Sequence, residues 1–160
     1  RQRQMCIRDR INGERHLVES NAPITRTFES KKQKGAEVDL SSVFANSVKK
    51  AVRTVILDQK DHLEVTDRLE TGDKEATVSW IMVTPAEAKI TGKNRMELTK
   101  DGQRMLLTVD ADTEVEMKTW SNVPPHEYDF RNPGTIRVGF ETVIPANRAA
   151  QLKVRLIPLK

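Results

Sequence analysis

The chain has 160 residues, 27 Lys and Arg against 23 Asp and Glu, 37% apolar residues and a single cysteine. That length is enough for one domain with a core of its own. One cysteine excludes a disulfide framework, and no apolar run approaches the ~20 residues needed for a membrane-spanning helix. The formal charge of +4 is concentrated at one end: four arginines and one aspartate fall in the first ten residues. Without them the charge drops to about +1, so the clustered basicity of a nucleic-acid-binding domain is missing.

Residues 1–10, Arg-Gln-Arg-Gln-Met-Cys-Ile-Arg-Asp-Arg, have neither an apolar period nor turn chemistry. They read as an adaptor-derived, non-native tail and are set aside from the fold. Cys6 belongs to this stretch, which leaves 11–160 without a thiol. Val, Thr and Ile occupy 38 of the 160 positions. Side chains branched at Cβ pack well on a pleated sheet and lose rotamer freedom in a helix, so strands are expected throughout.

In chain order, 23–29 is a short extended run, followed by a charged turn at 30–35. Ala36, Val38 and Leu40 alternate with Glu37 and Asp39, the period-two pattern of a half-buried strand. Residues 41–47 have the composition of one helical turn carrying Val43 and Phe44. A β-branched strand at 52–57 and its return at 63–69 flank the polar loop Asp58-Gln59-Lys60-Asp61. Ala76, Val78, Trp80 and Met82 share one face of the next strand. A ribbon at 89–91 and 96–99 turns at Gly92-Lys93-Asn94. Asp101-Gly102 is a hairpin signal, because both residues accept the positive φ angles of a type I′ turn. Met105, Leu107 and Val109 then face inward, as do Val115 and Met117. A long loop is expected from Trp120 to Gly134. Ile136, Val138, Phe140, Thr142 and Ile144 alternate with charged or small residues, Pro145-Ala146-Asn147 turns, and Leu152, Val154 and Leu156 end the pattern. The whole reads as an all-β, antiparallel two-sheet β-sandwich of about ten short strands, spaced about 8–12 residues apart.

Chemistry is sparse. His16, His62 and His126 are isolated, with no zinc-ligand spacing, and His62 alternates outward with Glu64, Thr66 and Arg68. Ser121 lacks a nucleophile-elbow context, and the seven glycines form no phosphate loop. No catalytic residue and no metal ligand is assigned. Asp67 shares the inward face of Leu63, Val65 and Leu69. A carboxylate there needs a partner, either as a perturbed acid or base or as an acceptor of backbone N–H bonds from a nearby turn. The 120–134 loop brings together Trp120, His126, Tyr128 and Arg131, which can stack on a sugar, move a proton and pair with a carboxylate. These four are the candidate substrate-binding residues. The competing reading is a proline-stiffened crossover over a sheet edge.

The segments Ile11-Asn-Gly-Glu-Arg-His16, Asn21-Ala-Pro-Ile24, Ala36-Glu-Val-Asp-Leu-Ser-Ser42, Lys50-Ala-Val-Arg53, Val65-Thr-Asp67, Trp80-Ile-Met-Val-Thr-Pro-Ala86 and Pro124-Pro-His-Glu-Tyr128 occur in an order that resembles the C-terminal β region of the heparinase II/III-like polysaccharide lyases. The resemblance covers residues 11–160. It implies a C-terminal, non-catalytic β-sandwich cut from a parent whose N-terminal α/α toroid is missing here. It also implies β-elimination on an acidic, uronic-acid-containing polysaccharide, in the periplasm, at the cell surface or in secreted form. In that chemistry one group neutralises the uronate carboxylate, a Tyr or His takes the C5 proton, and an acid assists the leaving oxygen. By the resemblance, those residues come mainly from the toroid and from histidines ahead of this segment, and a His–Asn pair is expected just before Asn12. Met5-Cys6-Ile7-Arg8 stand there instead. The fragment therefore carries no cofactor, and a structural metal ion would belong to the parent. The alternative is a stand-alone carbohydrate-binding or structural β module. Nucleic acid and membrane are not expected partners.

Overall fold

The structure is a computed structural model and describes residues 9–14, 16–17, 19–123 and 132–159. Twelve strands are found among them: β1 (Arg10–Ile11), β2 (Ile24–Glu29), β3 (Gln33–Asp39), β4 (Lys50–Asp58), β5 (Leu63–Glu70), β6 (Ala76–Thr84), β7 (Glu87–Gly92), β8 (Arg95–Lys100), β9 (Gln103–Ala111), β10 (Val115–Ser121), β11 (Ile136–Ile144) and β12 (Ala149–Leu159). The sandwich is as expected, with a four-stranded sheet in the order β1-β6-β11-β10 and an eight-stranded sheet in the order β2-β3-β4-β5-β12-β9-β8-β7. Every pairing is antiparallel. The added strand at the start is β1, which pairs Arg10 with Ser79 and Ile11 with Val78 on β6.

Local chemistry accounts for the hairpins. Asp101 and Gly102 have φ of 50° and 75°, the two positive angles of a type I′ turn between β8 and β9. Between β4 and β5 the Asp58 carboxylate accepts from the backbone N–H of Lys60 at 2.7 Å and of His62 at 3.0 Å, which closes the loop from inside. Residues 41–47 form successive turns closed on the carbonyls of Leu40 and Phe44.

The core lies between the sheets. Period-two alternation sends Val78, Trp80, Val138 and Phe140 inward from the small sheet. From the large sheet come Met96, Leu107, Val109, Leu152, Val154 and Leu156. Trp80 and Phe140 are cross-strand partners whose rings stack at 6.0 Å and 9°. One inner row of the large sheet runs across five strands as Ala111, Leu152, Asp67, Arg53 and Val38. Its two charged members mark the site described next.

Candidate functional site

Of the four residues expected to bind substrate, the structure places one. Trp120 is half-buried near the end of β10, so the segment opens as strand rather than loop. Its position on the outer face of the small sheet is set by its register opposite Arg137. Arg137 donates from Nε and Nη2 to the Ser121 carbonyl at 2.9 and 2.7 Å. Asn122 donates to Thr135 Oγ1 at 2.7 Å, and Thr135 donates to the Asn132 carbonyl at 2.8 Å, tying together the two sides of the connection. His126, Tyr128 and Arg131 lie outside the described residues. On the same outer face Lys118 pairs with Glu141, and Ser79 donates to Glu141 at 3.0 Å. The hydrogen bond from Lys118 holds the Glu141 carboxyl below the usual range against the opposing effect of burial. The same bond raises the Lys118 ammonium above its ordinary value.

His62 sits just before β5 rather than within it, half-buried, with Nδ1 3.2 Å from an Asp58 carboxylate oxygen. Among the described residues no three His, Cys, Asp or Glu side chains gather into a group able to hold a metal ion.

The densest polar arrangement is inside. Asp67 faces inward as its alternation requires, but its partner is a side chain and not a turn backbone. Arg53 Nε and Nη2 donate to Asp67 Oδ1 and Oδ2 at 2.6 and 2.7 Å. This planar two-bond fork is the strong form of the arginine–carboxylate pair. Arg53 Nη2 also lies 2.5 Å from Asp9 Oδ2, while Asp9 Oδ1 accepts the backbone N–H of Ile81 at 2.7 Å. One guanidinium thus joins a carboxylate of the large sheet to one pinned on the small sheet. Burial opposes the Arg53 charge, and the hydrogen bonds and charge of Asp67, with those of Asp9, outweigh it and raise its pKa. Burial raises the Asp67 carboxyl, Arg53 pulls it down, and the Asp9 charge pushes it up again. Beside the triad is a cavity of about 20 Å³ lined by Ile11, Phe44, Val78 and Trp80 as well as the three charged residues. Trp80 Nε1 is buried and has no hydrogen-bond partner among the described residues.

Two residues of this triad were not singled out in the sequence. The signal for Arg53 was present. Leu57 opposite Leu63 across the 58–62 loop sets the register, and four residues back on one strand and four forward on the other put Arg53 opposite Asp67. Asp9 was missed because it belongs to the stretch 1–10 set aside from the fold, whereas the structure pairs Arg10 with β6 and bonds Asp9 to both sheets.

Comparison with known proteins identifies the fold. No protein-family description and no curated protein matches the sequence. Solved structures do match in three dimensions. The chain superposes on heparinase III with a TM-score of 0.71 at 13% identity, covering 95% of this chain and 23% of that one. A second heparinase III gives 0.67 at 14% identity, with 90% and 22% covered. Heparan sulfate lyase HepC from Pedobacter heparinus gives 0.64 at 15% identity, with 96% and 24% covered. The chain therefore spans about a quarter of the length of the structures that it resembles.

Proposed function

We propose that this chain is the C-terminal, non-catalytic β-sandwich of a heparinase II/III-like polysaccharide lyase whose helical toroid lies outside the 160 residues. The observation that carries the reading is the coverage: nearly all of this chain is matched, against under a quarter of each lyase structure. A domain matched so unequally is a part with a constant architecture, here a wall against which a larger catalytic body is built. In this reading the parent acts by β-elimination on an acidic polysaccharide outside the cytoplasm, in the periplasm, at the cell surface or in secreted form. The proton-abstracting Tyr or His and the carboxylate-neutralising group belong to the parent's other parts. No helix among the described residues is long and apolar enough to cross a membrane.

The test is the source gene, read upstream of the Asn12 codon in an independent clone, followed by assay of the joined protein. The expected outcome is a His–Asn pair preceded by several hundred residues of helical pattern. The full protein then releases unsaturated uronate ends from an acidic polysaccharide, while the 160-residue chain alone releases none. A start codon or signal peptide immediately upstream would overturn the reading.

The half-buried Trp120 on an outer sheet face keeps a second reading in play, that of a stand-alone saccharide-binding module with 120–134 as the contact. It requires polyuronate affinity in titration calorimetry that falls in Trp120→Ala and Tyr128→Phe; unchanged affinity in both variants removes it.

A further inference from the structure

We infer that Arg53 and the backbone N–H of Ile81 form a carboxylate-binding site at the edge of the sandwich, and that Asp9 is its occupant in this chain. The inference rests on geometry inside the domain and is independent of the proposed function. The two Asp9 oxygens have different donors on different sheets: Oδ1 takes the Ile81 N–H of β6 at 2.7 Å, and Oδ2 takes Arg53 Nη2 of β4 at 2.5 Å. That division suits a carboxylate, whose two oxygens both accept, and does not suit an amide, whose NH₂ end would face a guanidinium. Both donors are held by contacts other than those of Asp9. Asp67 fixes the guanidinium plane through two bonds, and β6 is pinned between β1 and β11. Arg53 and Asp67 alone are charge-balanced, so the site has room for one further anion only at the cost of holding two carboxylates on one guanidinium. Asp9 meets that cost while three-quarters or more of each of the three side chains is withdrawn from solvent.

The neighbouring cavity of about 20 Å³ bounds the ligand. It has room for about one water-sized group beyond Asp9 itself, so the site takes the carboxylate of a chain residue or a formate- or acetate-sized anion, and a uronate ring is too large. The Trp80 side chain lines the same space. Arg53, Asp67, Ile81 and Trp80 all lie within 11–160, so the site belongs to the sandwich whatever residue precedes Ile11.

Chemical rescue of the 160-residue chain tests this. Asp9→Gly is expected to lower Tm by roughly 5 °C. Formate or acetate should restore at least half of that loss, more than chloride at equal ionic strength does. Asp9→Asn, which fills the space, and Arg53→Met in the Asp9→Gly background should show no such preference. Equal recovery with chloride, or a Tm unchanged by Asp9→Gly, overturns the assignment. Should Asp9→Gly not fold, hydrogen exchange in the unaltered chain decides. An Ile81 amide bonded to Asp9 exchanges slowly; rapid exchange of Ile81 overturns the assignment.

Discussion

Gly139 shows how a single position couples the two layers of backbone and side chain. It lies in β11 with φ of 157°, and a Cβ built there would meet the Trp80 carbonyl oxygen at 1.9 Å. Backbone cannot yield as a flexible side chain does, so β6 and β11 would have to part next to the Trp80–Phe140 stack. Gly139→Ala is expected to cost about 2–5 kcal/mol, the sum of a strained φ and a local overpacking, measured by urea unfolding. Asp67 makes a related point. Its alternation with Val65 and Leu69 is enough to send it inward, and burial without a partner would be prohibitive. What the pattern leaves open is the identity of the partner, because a turn N–H and a cross-strand arginine satisfy the same carboxylate. His62 follows the same logic from outside: one residue ahead of its strand, it answers to the Asp58 loop and not to the strand's alternation.

At the scale of elements, β10 and β11 are joined on their outer face by Lys118 and Glu141, diagonal neighbours in the ladder. The Glu141 carboxyl is lowered and the Lys118 ammonium raised by the same hydrogen bond. A lowered carboxyl stabilises the fold above its unfolded value of about 4.5 and loses that contribution as pH falls through the folded value. A raised ammonium stabilises below its unfolded value of about 10.5 and loses that contribution as pH rises through the folded value. The pair thus contributes across the neutral range and fades at both ends. In Lys118→Met the difference in Tm from the unaltered chain should be largest between about pH 5 and 10 and should shrink on acidification below about pH 4. A difference that stays constant across that range would show that the pair is screened to nothing. Hairpin elements were the most legible in sequence. Asp101-Gly102 and the Asp58 loop each rest on contacts within a few residues, so their chemistry is local and readable. Trp120 was placed in a loop because the prolines after it dominate the local pattern, whereas its pairing with Arg137 on β11 extends the strand past that boundary.

For the whole molecule, the stack of Trp80 on Phe140 ties the small sheet to the shared core, and Phe140 is fully buried. Phe140→Ala is expected to cost about 3–5 kcal/mol, a large share of the ~5–15 kcal/mol that holds an ordinary domain. Because both sheets bury their faces against each other, tryptophan fluorescence and far-ultraviolet circular dichroism should report one coincident transition in the variant and in the unaltered chain. Separate transitions would mean that the sheets fold as independent units. The sequence by itself determined the all-β class, the antiparallel hairpins and the inward faces of β5, β6 and β9 to β12, since each follows from residue type at a spacing of two or from turn chemistry within a few positions. Only the tertiary structure decided that β12 inserts between β5 and β9, that β6 and β11 leave for the smaller sheet, and that Arg53 stands between Asp67 and Asp9. Those choices join segments from 14 to over 80 residues apart, and no local period records which of several equally apolar faces a strand will meet.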